Sequence, residues 1–251
     1  MTETIIPIPK ISLEKLLKPV NRLTESCVLR GDGESIYTLC CSPDNSVILY
    51  AKTNLPIKLE YTKLNIINIK KLLTGLDCLG DDGEFKLSYN ENNIVCKSIN
   101  ESTNENTYFK YHLVEDNIIK ESTVNIERIA SLTYDTIFEL SLPKIKQIMS
   151  AYSFVSDVNK IYFYTKDQSV YAEIDDKTLQ NVDNVSLMVS PLFVGDALVK
   201  PLSIKIEVFK LLSSSKNNIK VKINNEFNVF VFETQEDDNT QLKYIISALV
   251  K

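Results

Sequence analysis

The sequence is poor in the residues from which catalytic centres are usually built. It holds one histidine and six glycines, with neither a GxGxxG nor a P-loop pattern among them, so the backbone cradle that binds nucleotide phosphates is missing. His112 sits in FKYHLV, a run that reads as a strand, and a lone histidine there reads as structural. The five cysteines (Cys27, Cys40, Cys41, Cys78, Cys96) are an odd number without CxxC spacing, which points to reduced, mostly buried thiols and not to a disulfide framework or a zinc site. No apolar run approaches the roughly 20 residues that span a bilayer. The first ten residues, MTETIIPIPK, lack the basic leader and apolar core of a signal peptide, so export is not expected. Carboxylate pairs occur at Asp81-Asp82, Asp175-Asp176 and Asp237-Asp238, each within a polar turn where solvated acids belong. No catalytic residue, metal or cofactor is expected, and the chain does not read as an enzyme.

What is present is a duplicated pattern. The 251 residues are 44% hydrophobic and 24% charged, a globular composition with room for one large domain or two ordinary ones. The organising stretch is IKLEYTKLNIINIKKLLTGL, from Ile57 to Leu76. It reads as a strand, a tight turn and a short helix with one apolar stripe at Ile66, Ile69, Leu72, Leu73 and Leu76. Asn68, Lys70, Lys71 and Thr74 fall on the opposite face. A similar unit returns at Leu202–Ser215 (LSIKIEVFKLLSSS).

Ahead of the first unit, Ser12 is placed to cap a helix from Leu13 to about Thr24, with Leu13, Leu16, Leu17, Val20 and Leu23 inward and Lys15, Lys18 and Arg22 on one outer stripe. Pro19 lies inside it, where it removes a hydrogen bond. Strands are expected at Cys27–Arg30, Ser35–Cys41, Val47–Thr53, Phe85–Tyr89, Asn93–Ser98 and Tyr108–Leu113, with a polar loop over Asn100–Asn106. Mixed charge from Val114 to Thr133 suggests a connecting segment. Then the pattern restarts: a strand at Thr136–Leu140 and a helix capped by Ser141, with Pro143 in its first turn, that buries Ile145, Ile148, Met149 and Tyr152. Strands follow at Ile161–Thr165, Val170–Ile174, Val185–Val189, Ile219–Ile223, Val229–Glu233 and Leu242–Ala248. The two halves are offset by 132 residues at the first helix (Leu16-Leu17 against Ile148-Met149) and by 139 at the second (Leu72-Leu73 against Leu211-Leu212).

The formal charge is −5, which argues against a surface wholly committed to nucleic acid. Its distribution is uneven. Residues 12–25 and 65–77 each carry +1, and residues 141–153 and 204–216 each carry +2, which leaves −11 on the remainder. Helices that line a surface facing a polyanion would give this balance, and so would lysines that merely solvate amphipathic helices. No basic stripe is interleaved with aromatics and no recognition helix is apparent, so base-specific readout is not indicated.

Four segments together resemble a DNA sliding clamp, the processivity factor of a replicative polymerase: LEKLLKPVNRL at 13–23, the run from Tyr61 to Val95, FELSLPKIKQIMSAY at 138–152 and LKYIISAL at 242–249. The likeness is nearest to clamps of T-even-type bacteriophages and more distant to proliferating cell nuclear antigen. It implies an α+β clamp fold of two similar domains (1–120 and 134–251, joined by a linker at 121–133), each with two helices packed on antiparallel sheets. It also implies a homotrimer that encircles double-stranded DNA without sequence preference and tethers DNA polymerase after a clamp loader has placed it. By the same resemblance, Lys15, Lys18, Arg22, Lys70, Lys71, Lys144, Lys146 and Lys210 would face DNA. A partner peptide would enter a pocket at Val47, Ile129, Tyr244, Ile245 and Ile246. Subunits would join through edge strands carrying Tyr108, Phe109, Tyr111 and Leu113 on one side and Val185, Leu187 and Val189 on the other. No membrane partner is implied. The setting would be intracellular, at the site of replication, or the host cytoplasm if the protein is viral. Two other readings stay open: a monomeric clamp-like subunit that holds DNA by a basic face, and an enzyme on a duplicated α+β scaffold.

Overall fold

Buried Leu13, Leu16, Leu17 and Val20, spaced i, i+3, i+4 and i+7, define the first helix, α1 (Lys10–Leu23), which continues unbroken past Pro19. It follows a short strand, β1 (Thr4–Ile6), that the sequence pattern did not indicate. The helix begins earlier than Ser12. Pro9 is the cap residue, its carbonyl accepting from the amides of Ser12 and Leu13 at 3.0 and 3.1 Å. Ser12 is instead buried in the first turn. The computed structural model describes residues 4–100, 103, 105–119, 121–155, 158–175 and 183–249.

The chain divides into two compact units. Unit 1 comprises Met1–Pro43, Leu49–Thr123 and Asp237–Leu242, and unit 2 comprises Asp44–Ile48, Val124–Glu236 and Lys243–Lys251. After α1, unit 1 contains β2 (Cys27–Gly31), β3 (Ser35–Cys41), most of β4 (Val47–Asn54), β5 (Thr62–Ile66), α2 (Ile69–Asp77), β6 (Glu84–Asn90), β7 (Asn93–Asn100) and β8 (Glu105–His112). One of its antiparallel sheets has the order β1-β6-β7-β8, and a second run has the order β4-β3-β2-β5. The loop expected over Asn100–Asn106 shrinks, because β7 extends to Asn100 and β8 starts at Glu105. Of the intervening residues, 101, 102 and 104 lie outside the described ones.

Helix α2 packs beside α1 and buries Ile69, Leu72, Leu73 and Leu76. Asn68 is its cap and not part of its outer face: the Asn68 side chain accepts from the Lys71 amide at 2.8 Å. The Tyr111 hydroxyl accepts from the Asn68 amide at 2.9 Å and so fixes the turn before the helix. Phe109 lies against Gly75, where an added Cβ would stand 2.8 Å from the ring, so this mid-helix glycine is a consequence of packing.

Unit 2 contains α3 (Ile126–Ala130), β9 (Thr136–Leu140), α4 (Leu142–Phe154), β10 (Lys160–Lys166), β11 (Ser169–Ile174), β12 (Val185–Ser190), β13 (Val194–Gly195), β14 (Leu202–Lys205), α5 (Val208–Leu212), β15 (Ile219–Asn224), β16 (Val229–Gln235) and most of β17 (Thr240–Ser247). The strand orders are β12-β11-β10-β14 and β13-β9-β15-β16-β17. Phe163 sits at the centre of the core, its ring centroid 5.4 Å from Phe230 and 6.3 Å from both Phe138 and Phe209. Helix α4 commits Ile145, Ile148 and Ala151 to that core, whereas Met149 and Tyr152 are half-buried. The expected stripe was therefore one position off at its C-terminal end. Ser141 does stand at the cap but makes no side-chain capping bond. Among the described residues no helix is long and apolar enough to cross a membrane.

Hairpin β10–β11 closes through Asp167 and Gln168, both at positive φ (49° and 62°). This is the mirror-image turn that matches strand twist, normally made with Asn-Gly. Holding a glutamine in the left-handed region costs roughly 1–2 kcal/mol. Gln168→Gly is therefore expected to raise the urea midpoint of unfolding and Gln168→Val to lower it; the reverse order would show that the turn is not left-handed.

Candidate functional site

Burial of one helix stripe forces the charges to the other side, and in both units those charges are mainly basic. Helix α1 carries four basic residues and one glutamate, α2 two lysines and Asp77, α4 two lysines and α5 one. These four helices sum to +7, against −12 for the rest of the chain. The cations are not equivalent. Lys15 donates to Asp237 at 2.7 Å. Burial alone would raise the Asp237 carboxyl, but hydrogen bonds from Lys15 and from the Asn239 and Thr240 amides outweigh it and hold the group below its usual range. Lys18 pairs with Glu14 one turn back, and Lys10 with the exposed Asp81 at 2.7 Å. Lys210 lies 3.9 Å from Glu207 and over the Tyr152 ring. Among the described residues Arg22, Lys70, Lys71, Lys144 and Lys146 make no ion pair. Arg22, Lys70, Lys71 and Lys146 are also exposed, and Lys144 is half-buried.

A second feature lies wholly in unit 2. Helix α3, capped by Asn125 through the Arg128 amide at 3.0 Å, lies beside the β15-β16-β17 sheet and lines with it a cavity of about 80 Å³. Its apolar wall is Ile126, Ile129, Ala130, Val231 and Ile245, and its polar wall is Tyr134, Lys222, Glu233 and Lys243. Tyr134 donates its hydroxyl to the Ile129 carbonyl at 2.8 Å, tying the segment after α3 to the helix. Glu233 accepts from Lys222 at 2.9 Å and lies 3.3 Å from Lys243.

The third feature is a pair of sheet edges that no strand covers among the described residues. Strand β8 pairs with β7 on one side, and β12 pairs with β11; each ends its own sheet. Tyr108, 70% exposed, points outward from β8 with Lys110 and the exposed His112. Among the described residues no group of three or more His, Cys, Asp or Glu is placed to hold a metal ion. Asp176, one of the paired carboxylates, lies outside the described residues.

No family model matches the sequence, and no curated protein does. Solved structures do match over essentially the whole length. PCNA from Thermococcus kodakaraensis aligns with a TM-score of 0.72 at 15% identity, over 98% of this chain and 99% of that one. The proliferating cellular nuclear antigen of Entamoeba histolytica aligns at 0.74 and 14%, over 99% and 98%. A. fulgidus PCNA, solved with the C-terminal region of FEN-1, aligns at 0.74 and 11%, over 100% and 99%. The chain has the PCNA clamp fold. The α+β class, with few helices on antiparallel sheets, is as the sequence indicated; the nearer likeness to phage clamps is not among these structural matches.

Within that fold the residues expected at sites separate by what they touch. Of the five pocket residues, Ile129 and Ile245 line the cavity. Val47, Tyr244 and Ile246 do not: all three are buried, and Tyr244 and Ile246 alternate with Ile245 along β17 and so project to the other face. Of the expected interface side chains, Phe109 and Tyr111 turn inward onto α2, and Val189 is buried. Tyr108 points out, while Leu113, Val185 and Leu187 are half-buried. Lys222, Glu233 and Lys243 were missed. Period-two alternation in IKVKI and LKYII put both lysines on the face opposite the core, but nothing local showed that this face was covered.

Burial would raise the Glu233 carboxyl, yet the hydrogen bond from Lys222 and the charge of Lys243 hold it below its ordinary value near 4.5. A carboxyl lowered in the folded state stabilises it above the unfolded pKa, and that stability is lost as pH falls through the folded value. The difference in urea midpoint between wild type and Glu233→Gln should accordingly narrow as the pH drops below 4.5. A constant difference across that range would show the three charges to be uncoupled.

Proposed function

We propose that this protein is a sliding clamp: a homotrimeric ring that encircles duplex DNA and tethers a DNA polymerase for processive synthesis, placed on DNA by a clamp loader. The observation that carries the reading is the concentration of positive charge on the helices of a chain that has the clamp fold and is otherwise acidic. A closed ring needs no tight grip. Retention is topological, so phosphate contacts can be few and sequence-independent, and lysines on flexible stems supply attraction that falls as salt rises. The bare edges of β8 and β12 would pair between neighbouring copies and hide two unpaired rows of backbone groups. The cavity beneath α3 would receive a short peptide of the polymerase or loader. One structural neighbour was solved with the C-terminal region of a client, FEN-1, which supports peptide docking as the mode. The sequence likeness to T-even-type phage clamps supports a viral replisome working in the host cytoplasm.

Unpaired cations should contribute to DNA binding and internally paired ones should not. On a short duplex between 50 and 200 mM salt, Lys70→Ala/Lys71→Ala is expected to reduce the slope of log affinity against log salt by about 2, near one per lost phosphate contact. Lys15→Ala, which loses a partner already committed to Asp237, should leave the slope close to wild type. Equal effects would overturn the division.

Light scattering should give about 86 kDa, three times the 28.6 kDa chain. Loaded protein should stay on nicked circular DNA and run off linear DNA of the same length. A strict monomer at high concentration, released equally from both by modest salt, would replace the ring with a monomeric factor that holds DNA by its basic face.

A further inference from the structure

The cavity beneath α3 is lopsided in charge. Glu233 is shared by two ammonium groups, and the three side chains are only between 15% and 25% exposed. Each ammonium has three donors and Glu233 engages one from each, which leaves one excess positive charge in a half-buried setting. The surrounding charges cancel it no further. Lys220, directly opposite Glu233 across β15–β16, stands opposite Glu139 on its other side, and α3 adds one Glu and one Arg. An excess charge held partly out of water is costly until an anion meets it.

Size supplies a second restriction. An apolar cavity of about 150 Å³ accepts benzene, and this one is about 80 Å³. A space this small between Ile129 and Ile245 seats a compact branched aliphatic side chain more fully than a planar ring.

We infer that the cavity selects a peptide in which an aliphatic anchor is followed at once by a carboxylate, the anchor seated against Ile129 and Ile245 and the carboxylate bound by Lys222 and Lys243. The inference rests on the peptide-docking reading above and adds the chemistry of the partner. The carboxylate can come from an acidic side chain or from a chain terminus; both offer the same oxygens to the same lysines.

The test is an NMR titration of the whole protein that follows the isoleucine methyls, with Ile245 assigned through Ile245→Val. The probes are Gly/Ser octapeptides, amidated at the C-terminus, with a central Leu-Glu, Leu-Gln or Phe-Glu pair, and one Gly/Ser peptide that ends in leucine with a free carboxylate. Leu-Glu is expected to bind about tenfold tighter than Leu-Gln and to outcompete Phe-Glu. Lys243→Met should remove the first preference and keep the second. Binding of the free-terminus peptide, with Leu-Glu no better than Leu-Gln, would assign the carboxylate to a chain end. Equal affinity of all four peptides would overturn the selection while peptide docking stood. Failure of every probe to move the Ile129 and Ile245 methyls would overturn both.

Discussion

The phenylalanine cluster of unit 2 fixes which way every residue of its large sheet must point. Phe230 and Phe232 face the core beside Phe163 and Phe209, and Val221 and Ile223 do the same from β15. Because side chains alternate with a period of two, Lys222, Val231 and Glu233 are driven together onto the opposite face. A slip of one residue would place Lys222 and Glu233 in the core and the phenylalanines in water. The register that buries the aromatic cluster is thus the same register that assembles the cavity wall. Helix α3 then brings its two isoleucines to that wall, and the cavity lies between them and the strands.

Charge on the helices follows a related logic with a different outcome. A buried stripe leaves the opposite face for polar residues, yet α1 and α2 use that face differently. The longer α1 spends three of its four cations on carboxylates: Asp81, Asp237 and its own Glu14. These pairs sit at or near the surface, where each is worth roughly 0–1 kcal/mol. The pairing still matters, since the carboxylate beside each lysine offsets the charge it presents to an approaching anion. Among the described residues Lys70 and Lys71 on α2 make no such pair. On the proposed reading, attraction for DNA phosphates is graded along these two helices, weakest where the cations are tied into the fold.

Much of this architecture was legible because the periodicities were strong. The apolar spacing of α1, α2 and α4 can be satisfied only by burying one face, and the turns at 42–45 and 90–92 separate runs rich in strand-forming residues. What escaped was non-local. Nothing near Ser12 shows that the Pro9 carbonyl opens α1, because a backbone acceptor leaves no side-chain signature. Phe109 and Tyr111 read as interface aromatics because their strand is an edge. Their inward role depends on Gly75 and Asn68, the latter 43 residues away. Likewise, a lysine in a strand looks solvated until a side chain from elsewhere in the chain lies against it, as the Tyr134 ring does against Lys222.

The inward turn of Phe109 and Tyr111 changes what strand β8 can offer a neighbour. An edge strand presents two things: a row of unpaired backbone groups, which any strand can meet, and side chains, which choose the partner. With both aromatics spent on α2, the choosing side chains of β8 are Tyr108, Lys110 and His112 on the outward face. Strand β12 has the reverse economy, with Val189 buried, Met188 exposed and a register shift against β11 at Val170/Tyr171. A bulge of this kind increases local twist and limits the pairings an edge accepts. If these two edges meet, backbone pairing supplies the strength, while the bulge on one strand and the tyrosine and lysine on the other restrict the register. Such an interface joins unlike surfaces and must close on itself, since otherwise each added copy would expose a fresh edge and the assembly would grow without limit.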